Sequence, residues 1–260
     1  MTDVQTSGGE SSRRVAFVTG GASGIGRAAS LAWAREGVRI LLGDVDDAAG
    51  EMTVKDIQSA GGEAQYVHVD VCNEADCINA VEQAVKLYGR LDIGFNNAGI
   101  TGSSHRVGRY PLNEWRRVLD VNLTGVFNCM QAELKVFEQQ GAGVIINTSS
   151  VIGQRGTAGG SAYSAAKHGV IGLTRSAALE YAGRGVRINA ICPGYVETQL
   201  VVGEQAGIPS NVLDEKIKRI AARRLGQPEE IAAVVVWLAS QAASFVHGSA
   251  VDVDGGYLAF

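Results

Sequence analysis

Arg14-Val-Ala-Phe-Val-Thr19-Gly20-Gly-Ala-Ser23-Gly24-Ile25-Gly26 is where the architecture of this chain first declares itself. The apolar run from Val15 to Val18 gives a short buried strand. Glycines follow at 20, 21, 24 and 26, and helical spacing holds from Arg27 to Glu36 until Gly37 stops it. A strand that runs through a glycine-rich turn into a helix presents backbone N–H groups and a helix N-terminus to a pyrophosphate. The spacing here, Gly20-x3-Gly24-x-Gly26, is looser than the G-x-G-x-x-G dinucleotide fingerprint. Its position directly after the first strand, more than the pattern itself, carries the reading.

The alternation continues beyond this turn. Val38 to Leu42 is a second strand ending at Gly43-Asp44, and Asp46 caps a helix that reaches about Ala60. Ala64 to Val69 is a third strand, followed by Asp70 and a helix capped by Asn73 that runs to about Tyr88. Asp92 to Asn96 is a fourth strand, leading into Asn97-Ala98-Gly99. Helices are expected from Leu112 to Asp120 and from Val121 to Gln139. Gly143 to Thr148 is a fifth strand, and a helix starts near Ser161. Arg187 to Cys192 is a sixth strand, Pro228 starts a helix to about Ser240, and Ala250 to Val253 is a seventh strand. Strands and helices at βαβ spacing predict an α/β fold: one doubly wound parallel sheet of seven strands with helices on both faces. Residues 14–260 form a single domain behind a flexible, polar tail over residues 1–13, which lacks the apolar core of a secretion signal. The stretch 198–224 has no strand periodicity and is read as a closing lid over the substrate.

Bulk properties exclude several classes. A chain of 260 residues that is 46% apolar can bury a large core, and a net charge of −4 gives no electrostatic reason for nucleic acid or an anionic membrane as partner. The apolar helices are broken by charge well short of a membrane span. Cys72, Cys77, Cys129 and Cys192 lack metal or redox spacing, so free thiols in a reducing, cytoplasmic compartment are expected. His68, His105, His168 and His247 are too scattered for a metal site. His105, Arg106 and Arg109 belong to a loop that should border the substrate mouth.

Two groups of residues suggest chemistry. Asp44, at the end of the second strand, can accept hydrogen bonds from ribose hydroxyls and would repel a 2′-phosphate. No basic residue stands at Ser23 to receive such a phosphate, although Arg27 and Arg39 are near in sequence. NAD is therefore expected over NADP. Tyr163 and Lys167 are four apart and share a helix face, and Ser150 ends the fifth strand's apolar run. A tyrosine titrates near ~10 when free, and a neighbouring ammonium lowers that value. Tyr163 could then exchange a proton with an alcohol while Ser150 holds the substrate oxygen.

With these residues in place, the chain resembles the short-chain dehydrogenase/reductase family from about Arg13 to Tyr257. Thr19-Gly-Gly-Ala-Ser-Gly-Ile-Gly26 resembles the family's cofactor turn, and Asn96-Asn-Ala-Gly99 its sheet-stabilising motif. Asn122, Ser150, Tyr163 and Lys167 match its catalytic tetrad, and Pro193-Gly194 its nicotinamide loop. The resemblance implies a Rossmann-type fold, with Tyr163 as acid/base and Lys167 on the nicotinamide ribose. It implies that Asn122 holds a water in a proton relay through Lys167. Gly20, Ser23, Gly24, Ile25 and Gly26 would line the phosphates, with Asp44 and Val45 at the ribose. Asp70 and Val71 would meet adenine, and Asn97, Ala98 and Gly99 would pack along its ribose. Thr148, Pro193, Gly194, Val196 and Thr198 complete the implied cofactor set. A homotetramer is also implied, paired through helices around 122–139 and 161–182 and through the C-terminus, where Tyr257-Leu-Ala-Phe260 suits an interface. Gly94 departs from the pattern, since the family usually carries a larger aliphatic there.

Val151, Ile152, Gln154, Gly160 and Tyr195, together with the lid, should shape the substrate pocket. They are mainly small and apolar, which suits a neutral secondary alcohol or ketone of modest size. The expected function is NAD-dependent hydride transfer between such a pair. The alternatives are a catalytically silent NAD sensor, or dehydration or epimerisation on the same scaffold.

Overall fold

The computed structural model describes residues 13–202 and 210–259. Seven strands, β1 (Val15–Thr19), β2 (Arg39–Asp44), β3 (Ala64–His68), β4 (Ile93–Asn96), β5 (Gly143–Thr148), β6 (Val186–Pro193) and β7 (Ala250–Val253), form one parallel sheet. Their order is β3-β2-β1-β4-β5-β6-β7. The chain winds outward from β1 to β3, then returns to the other side of β1 with β4. That reversal opens a crevice at the carboxyl ends of β1 and β4, where Thr19 pairs with Asn96. The phosphate turn and the Asn97–Gly99 segment are thereby set side by side.

Successive strand residues face opposite sides, and in the inner strands, such as β1 and β2, both sides are buried, so these strands are almost continuously apolar. Ala16 and Val18 pack under α1 (Gly24–Arg35), α2 (Asp47–Ser59) and, further along the sheet, α9 (Pro228–Ala239). Val15 and Phe17 pack on the other face with α3 (Glu74–Tyr88), α5 (Gly125–Gln140) and α6 (Ser161–Tyr181). Trp33 of α1 meets Phe95 of β4 edge to face, with centroids 5.9 Å apart. Burying a side chain of this size contributes roughly 1.5–3 kcal/mol.

The expected caps form. Asp46 accepts from Ala49 N and Asn73 from Ala75 N, and Pro228 opens its helix behind a Gln227–Glu230 capping box. Strand ends shift by one or two residues from the sequence reading, and two helix boundaries differ in ways that bear on the site. α1 spans Gly24–Arg35 with Ser23 as its N-cap, so the end of the glycine turn runs directly into the helix N-terminus, whose N–H groups lack intrahelical partners. The expected break near Asp120 is a π-helical turn, Asp120–Thr124, joining α4 (Leu112–Leu119) to α5, which therefore starts at Gly125 rather than Val121. Asn122, in this wider turn, is fully buried. The lid region contributes α7 (Gln199–Val202) and α8 (Ser210–Lys218). Residues 203–209 of the lid, residues 1–12 of the tail and Phe260 lie outside the described residues.

Candidate active site

The phosphate turn is held by its neighbours. Gly20 and Gly24 adopt φ of 64° and 52°, a left-handed conformation that other residues rarely take. Asn97 Nδ2 donates to Thr19 O (3.2 Å) and Gly20 O (3.1 Å), and Thr19 Oγ1 accepts from the backbone of Asn97 (3.1 Å) and Ala98 (3.3 Å). Asn97 and Ala98 therefore brace the turn from behind. The first turn of α1, which contains Ile25, carries no acidic residue, so its N–H groups and dipole are free to favour an anion. A cleft of about 410 Å³ lies between Ser23, Gly24 and Arg27 on one side and Thr198, Gln199 and Val202 on the other. A Cβ on Gly24 would lie 3.1 Å from Thr198 Cγ2, so Thr198 closes directly over the turn.

Asp44 sits at the end of β2 as expected, and its carboxylate is already engaged. Oδ2 accepts from Ala22 N (3.0 Å), and Oδ1 from Val45 N (2.8 Å) and Asp46 N (3.1 Å). A carboxylate has about four acceptor sites, so capacity for a hydroxyl remains. Neither nearby arginine competes for it. Arg27 pairs with Asp56 at 2.7 Å, and Arg39 is buried at the opposite end of β2, donating to Arg13 O and Tyr88 O. Tyr66, which the sequence reading passed over, places its single hydroxyl donor 2.7 Å from both Asp44 O and Asp47 Oδ1. Tyr66 and His68 hold Asp47 below the usual carboxylate range. Asp70 accepts from Cys72 N (2.9 Å). The Val71 side chain is buried in the core, and its carbonyl accepts from Asn128 Nδ2 (2.9 Å). This group of donors and acceptors fits a dinucleotide: a helix N-terminus for the phosphates and a fixed carboxylate for hydroxyls, with no unpaired cation beside it among the described residues.

At the other end of the crevice, Ser150 ends the extension of β5 and its Oγ accepts from Ile152 N (3.1 Å). Tyr163 stands in the first turn of α6, with Lys167 one turn later. The buried Lys167 Nζ donates to Thr148 O (2.8 Å) and lies 5.7 Å from the centre of the Tyr163 ring. Ser149 Oγ fixes the helix by donating to Lys167 O (2.9 Å). The electrostatics correct one expectation. Burial pushes the Tyr163 phenol up, with the Ser150 hydroxyl pulling the other way, and burial brings the Lys167 amine down to about 8. Desolvation outweighs the attraction expected between the two, because the ammonium is turned toward Thr148 O.

Asn122 Nδ2 donates to Ile100 O and Val118 O (2.9 Å each), and its Oδ1 accepts from Ile100 N (3.2 Å). A Cβ on Gly99 would lie 2.8 Å from Asn122 Oδ1 and 3.5 Å from Lys167 Nζ, so both groups border the same space. Pro193 ends β6, and Gly194 N donates to Val253 O (3.0 Å). Val196 is buried beside Gly226 and accepts from Thr198 N (2.8 Å).

The pocket wall is a small third core. Val151, Ile152, Ile220 and Tyr257 are buried together, with Tyr163, Tyr195 and Leu258 packed against them. Tyr195 and Tyr257 meet edge to face at 5.3 Å, and the Arg155 guanidinium covers the Tyr257 ring at 5.1 Å. Gln154 is tied to Asp252, and Gly160 pairs with His105, whose N–H donates to Gly159 O (3.0 Å). Ile220 comes from the stretch read as the lid, whereas Tyr257 and Leu258 were not anticipated beside Tyr163. Tyr257, read as part of an oligomer interface, is 4% exposed within its own subunit, because the Gly255-Gly256 turn folds it back onto Tyr195. No sequence periodicity marks that return. His168 bonds Ser164 O and points away from the site.

Fold and site together define an oxidoreductase of the dinucleotide-binding α/β class. A family model described as enoyl-(acyl carrier protein) reductase matches residues 20–258. Cyclohexanol dehydrogenase of Acinetobacter sp. (strain SE19) is 43% identical over 94% of each chain. The crystal structure of levodione reductase superposes with a TM-score of 0.91 at 39% identity, covering 95% of this chain and 98% of that one. A structure from Beutenbergia cavernae, described as an NAD(P)-dependent gluconate 5-dehydrogenase with NADP at low occupancy, gives 0.88 at 38% identity, covering 95% and 97%. The chain belongs to the short-chain dehydrogenase/reductase family. It is a nicotinamide-dependent oxidoreductase acting on CH–OH or C=O groups, and the alternative of a silent sensor gains no support from these relatives.

Proposed function

We propose that the protein is an NAD-dependent dehydrogenase that interconverts a secondary alcohol and its ketone on a small apolar skeleton, with a six-membered ring as the first candidate. One observation carries the reading: the Tyr163 phenol is set among Val151, Ile152, Tyr195 and Tyr257, with a buried ammonium one turn below it. A proton donor and acceptor in an apolar pocket suits an uncharged alcohol or ketone. The name of the cyclohexanol dehydrogenase relative supports the ring.

When bound, the nicotinamide supplies or takes up hydride. The α1 N-terminus and the Gly20–Gly26 turn hold the phosphates, Asp44 and Val45 the adenosine ribose, and Asp70 and Val71 the adenine. Thr148, Pro193, Gly194, Val196 and Thr198 seat the nicotinamide end, braced by Asn97, Ala98 and Gly99. Ser150 Oγ holds the substrate oxygen, and Tyr163 Oη takes its proton in oxidation or returns it in reduction. Lys167 holds the nicotinamide ribose and, with Asn122 across the Gly99 gap, passes the proton outward. The preference for NAD rests on the carboxylates Asp44, Asp46 and Asp47 at the ribose end, with Arg27 already paired. A 2′-phosphate there meets like charge with no cation to offset it.

The chain is also read as a cytoplasmic homotetramer. Its free thiols suit a reducing compartment, and no described helix is long and apolar enough to cross a membrane. Phe127 on α5 and Leu179 on α6 are exposed apolar side chains on the helices expected to pair. The test is reduction of NAD, followed by absorbance, with cyclohexanol and acyclic secondary alcohols, and NADP in parallel. Turnover with NAD and little with NADP is expected. Equal use of both would overturn the role of Asp44, and turnover restricted to acyclic alcohols would overturn the ring.

A further inference from the structure

Gly94 leaves a gap in β4, and a side chain from α5 fills it. A Cβ at Gly94 would collide with the carboxyl group of Glu133, which is fully buried. Glu133 Oε2 accepts from Asn96 Nδ2 (3.1 Å), and the same amide nitrogen donates to Asn147 Oδ1 (3.0 Å). Asn147 Nδ2 in turn donates to Thr174 Oγ1 (2.9 Å) and lies 3.2 Å from Met130 Sδ. Two buried acceptors of this network, Glu133 Oε1 and Asn96 Oδ1, have no donor. No cation pairs with Glu133 among the described residues. The titratable groups around it are the thiols Cys77 of α3 and Cys129 of α5, while β4, β5 and α6 contribute only uncharged groups to the network.

A bare carboxylate here would be a buried charge with a single donor and no counter-ion, which is strongly unfavourable. A network with two orphan acceptors is one donor short, and a proton on the carboxyl group supplies that donor. We infer that Glu133 is held as a neutral acid and is a positioning residue for the cofactor site, acting through Asn96 on the Asn97–Gly99 segment. The connection is short. Asn96 ends β4, and the next residue, Asn97, bonds Thr19 O and Gly20 O in the phosphate turn. Ionisation of Glu133 places a charge in the sheet core, pulls on the Asn96 amide, and loosens the brace behind the turn. Burial raises this carboxyl to about 8, so the change falls just above neutral pH. This inference rests on the cofactor reading above.

The experiment compares the wild-type protein with Glu133→Gln, whose amide supplies a donor at every pH. The unfolded chain releases the Glu133 proton in the ordinary carboxylate range, while the folded chain keeps it to about 8. Between those values the folded state holds the extra proton, so stability falls as pH rises. The wild-type Tm should therefore drop relative to that of Glu133→Gln from pH 5 to 8.5. NAD affinity, read by calorimetry, should match in the two proteins near pH 6.5. By pH 9.5 the wild type should weaken on the order of tenfold more than the variant. Lys167 titrates in both proteins and cancels in the comparison. Glu133→Ala should bind NAD more weakly throughout the range. Parallel Tm curves or parallel affinity curves for wild type and Glu133→Gln would overturn the proposal. Failure of both proteins to bind NAD at any pH would sink the cofactor reading and the positioning role with it.

Discussion

Tyr163 is where the chemistry is most exposed to test. Replacing it with phenylalanine keeps the ring in its apolar wall and removes the proton carrier. Turnover should fall by roughly 10²–10⁴-fold, the usual worth of a positioned acid/base. NAD affinity, measured alongside, should hold within a small factor; near-normal turnover would end the mechanism. The pH profile has a definite sign. Burial raises the Tyr163 phenol, so the protonated form dominates at neutral pH. Ketone reduction needs that form and should stay level from pH 6 to 8. Alcohol oxidation needs the phenolate and should climb with pH over the same range. A level rate of reduction beside a rising rate of oxidation, seen in initial rates for the two directions, would support Tyr163 as the group in play. The Tyr-x3-Lys pair was legible in the sequence because four residues make one helical turn. The direction of the tyrosine shift was not, because it depends on how deeply the fold buries the phenol.

At the scale of single elements, the phosphate turn and the helix caps carry separable predictions. A Cβ at Gly26 would collide with the carbonyl oxygen of Gly20, so Gly26→Ala must push the turn open. NAD binding should be lost in a calorimetric titration, even where circular dichroism still shows a folded chain. Retained affinity would place the phosphates elsewhere. Asn73 caps α3 just beyond Asp70 and Val71, and Asn73→Ala should cost about 1 kcal/mol of stability in a denaturant titration while leaving kcat at saturating NAD unchanged. Caps are local, which is why Asp46, Asn73 and Pro228 were found from sequence. The π-turn at Asp120–Thr124 is not local. It answers to the packing of α4 and of the turn's own Leu123 against α6, and sequence periodicity registers it only as a helix boundary in the wrong place.

For the whole molecule, the parallel sheet and its reversal at β1 and β4 bring residues 20 and 97 together across the crevice. Both sheet faces are covered by helices, yet Leu179 remains 87% exposed on α6 and Phe127 on α5 is exposed as well. If these helices pair between subunits, light scattering should give a particle of four chains. Leu179→Glu, which places a charge on that face, should shift the population toward smaller species. A wild-type monomer at micromolar concentration would overturn the tetramer. Tyr257 belongs to a different account. Its mutation to alanine opens the wall beside Tyr163, and should raise KM for a ring-shaped alcohol more than it lowers kcat.

The sequence by itself determined the order and type of nearly every element, the phosphate turn, and the Ser150–Tyr163–Lys167 set. Apolar period, glycine placement and caps act over a few residues and are written directly in the chain. Only the tertiary structure decided what meets across long separations. It folded Tyr257 onto Tyr195 and Ile220, committed three backbone donors to Asp44, and filled the space beside Gly94 with the carboxyl group of Glu133. Each of these depends on which surfaces the sheet's winding presses together. A glycine in a strand gives no sign of the side chain that will take its place.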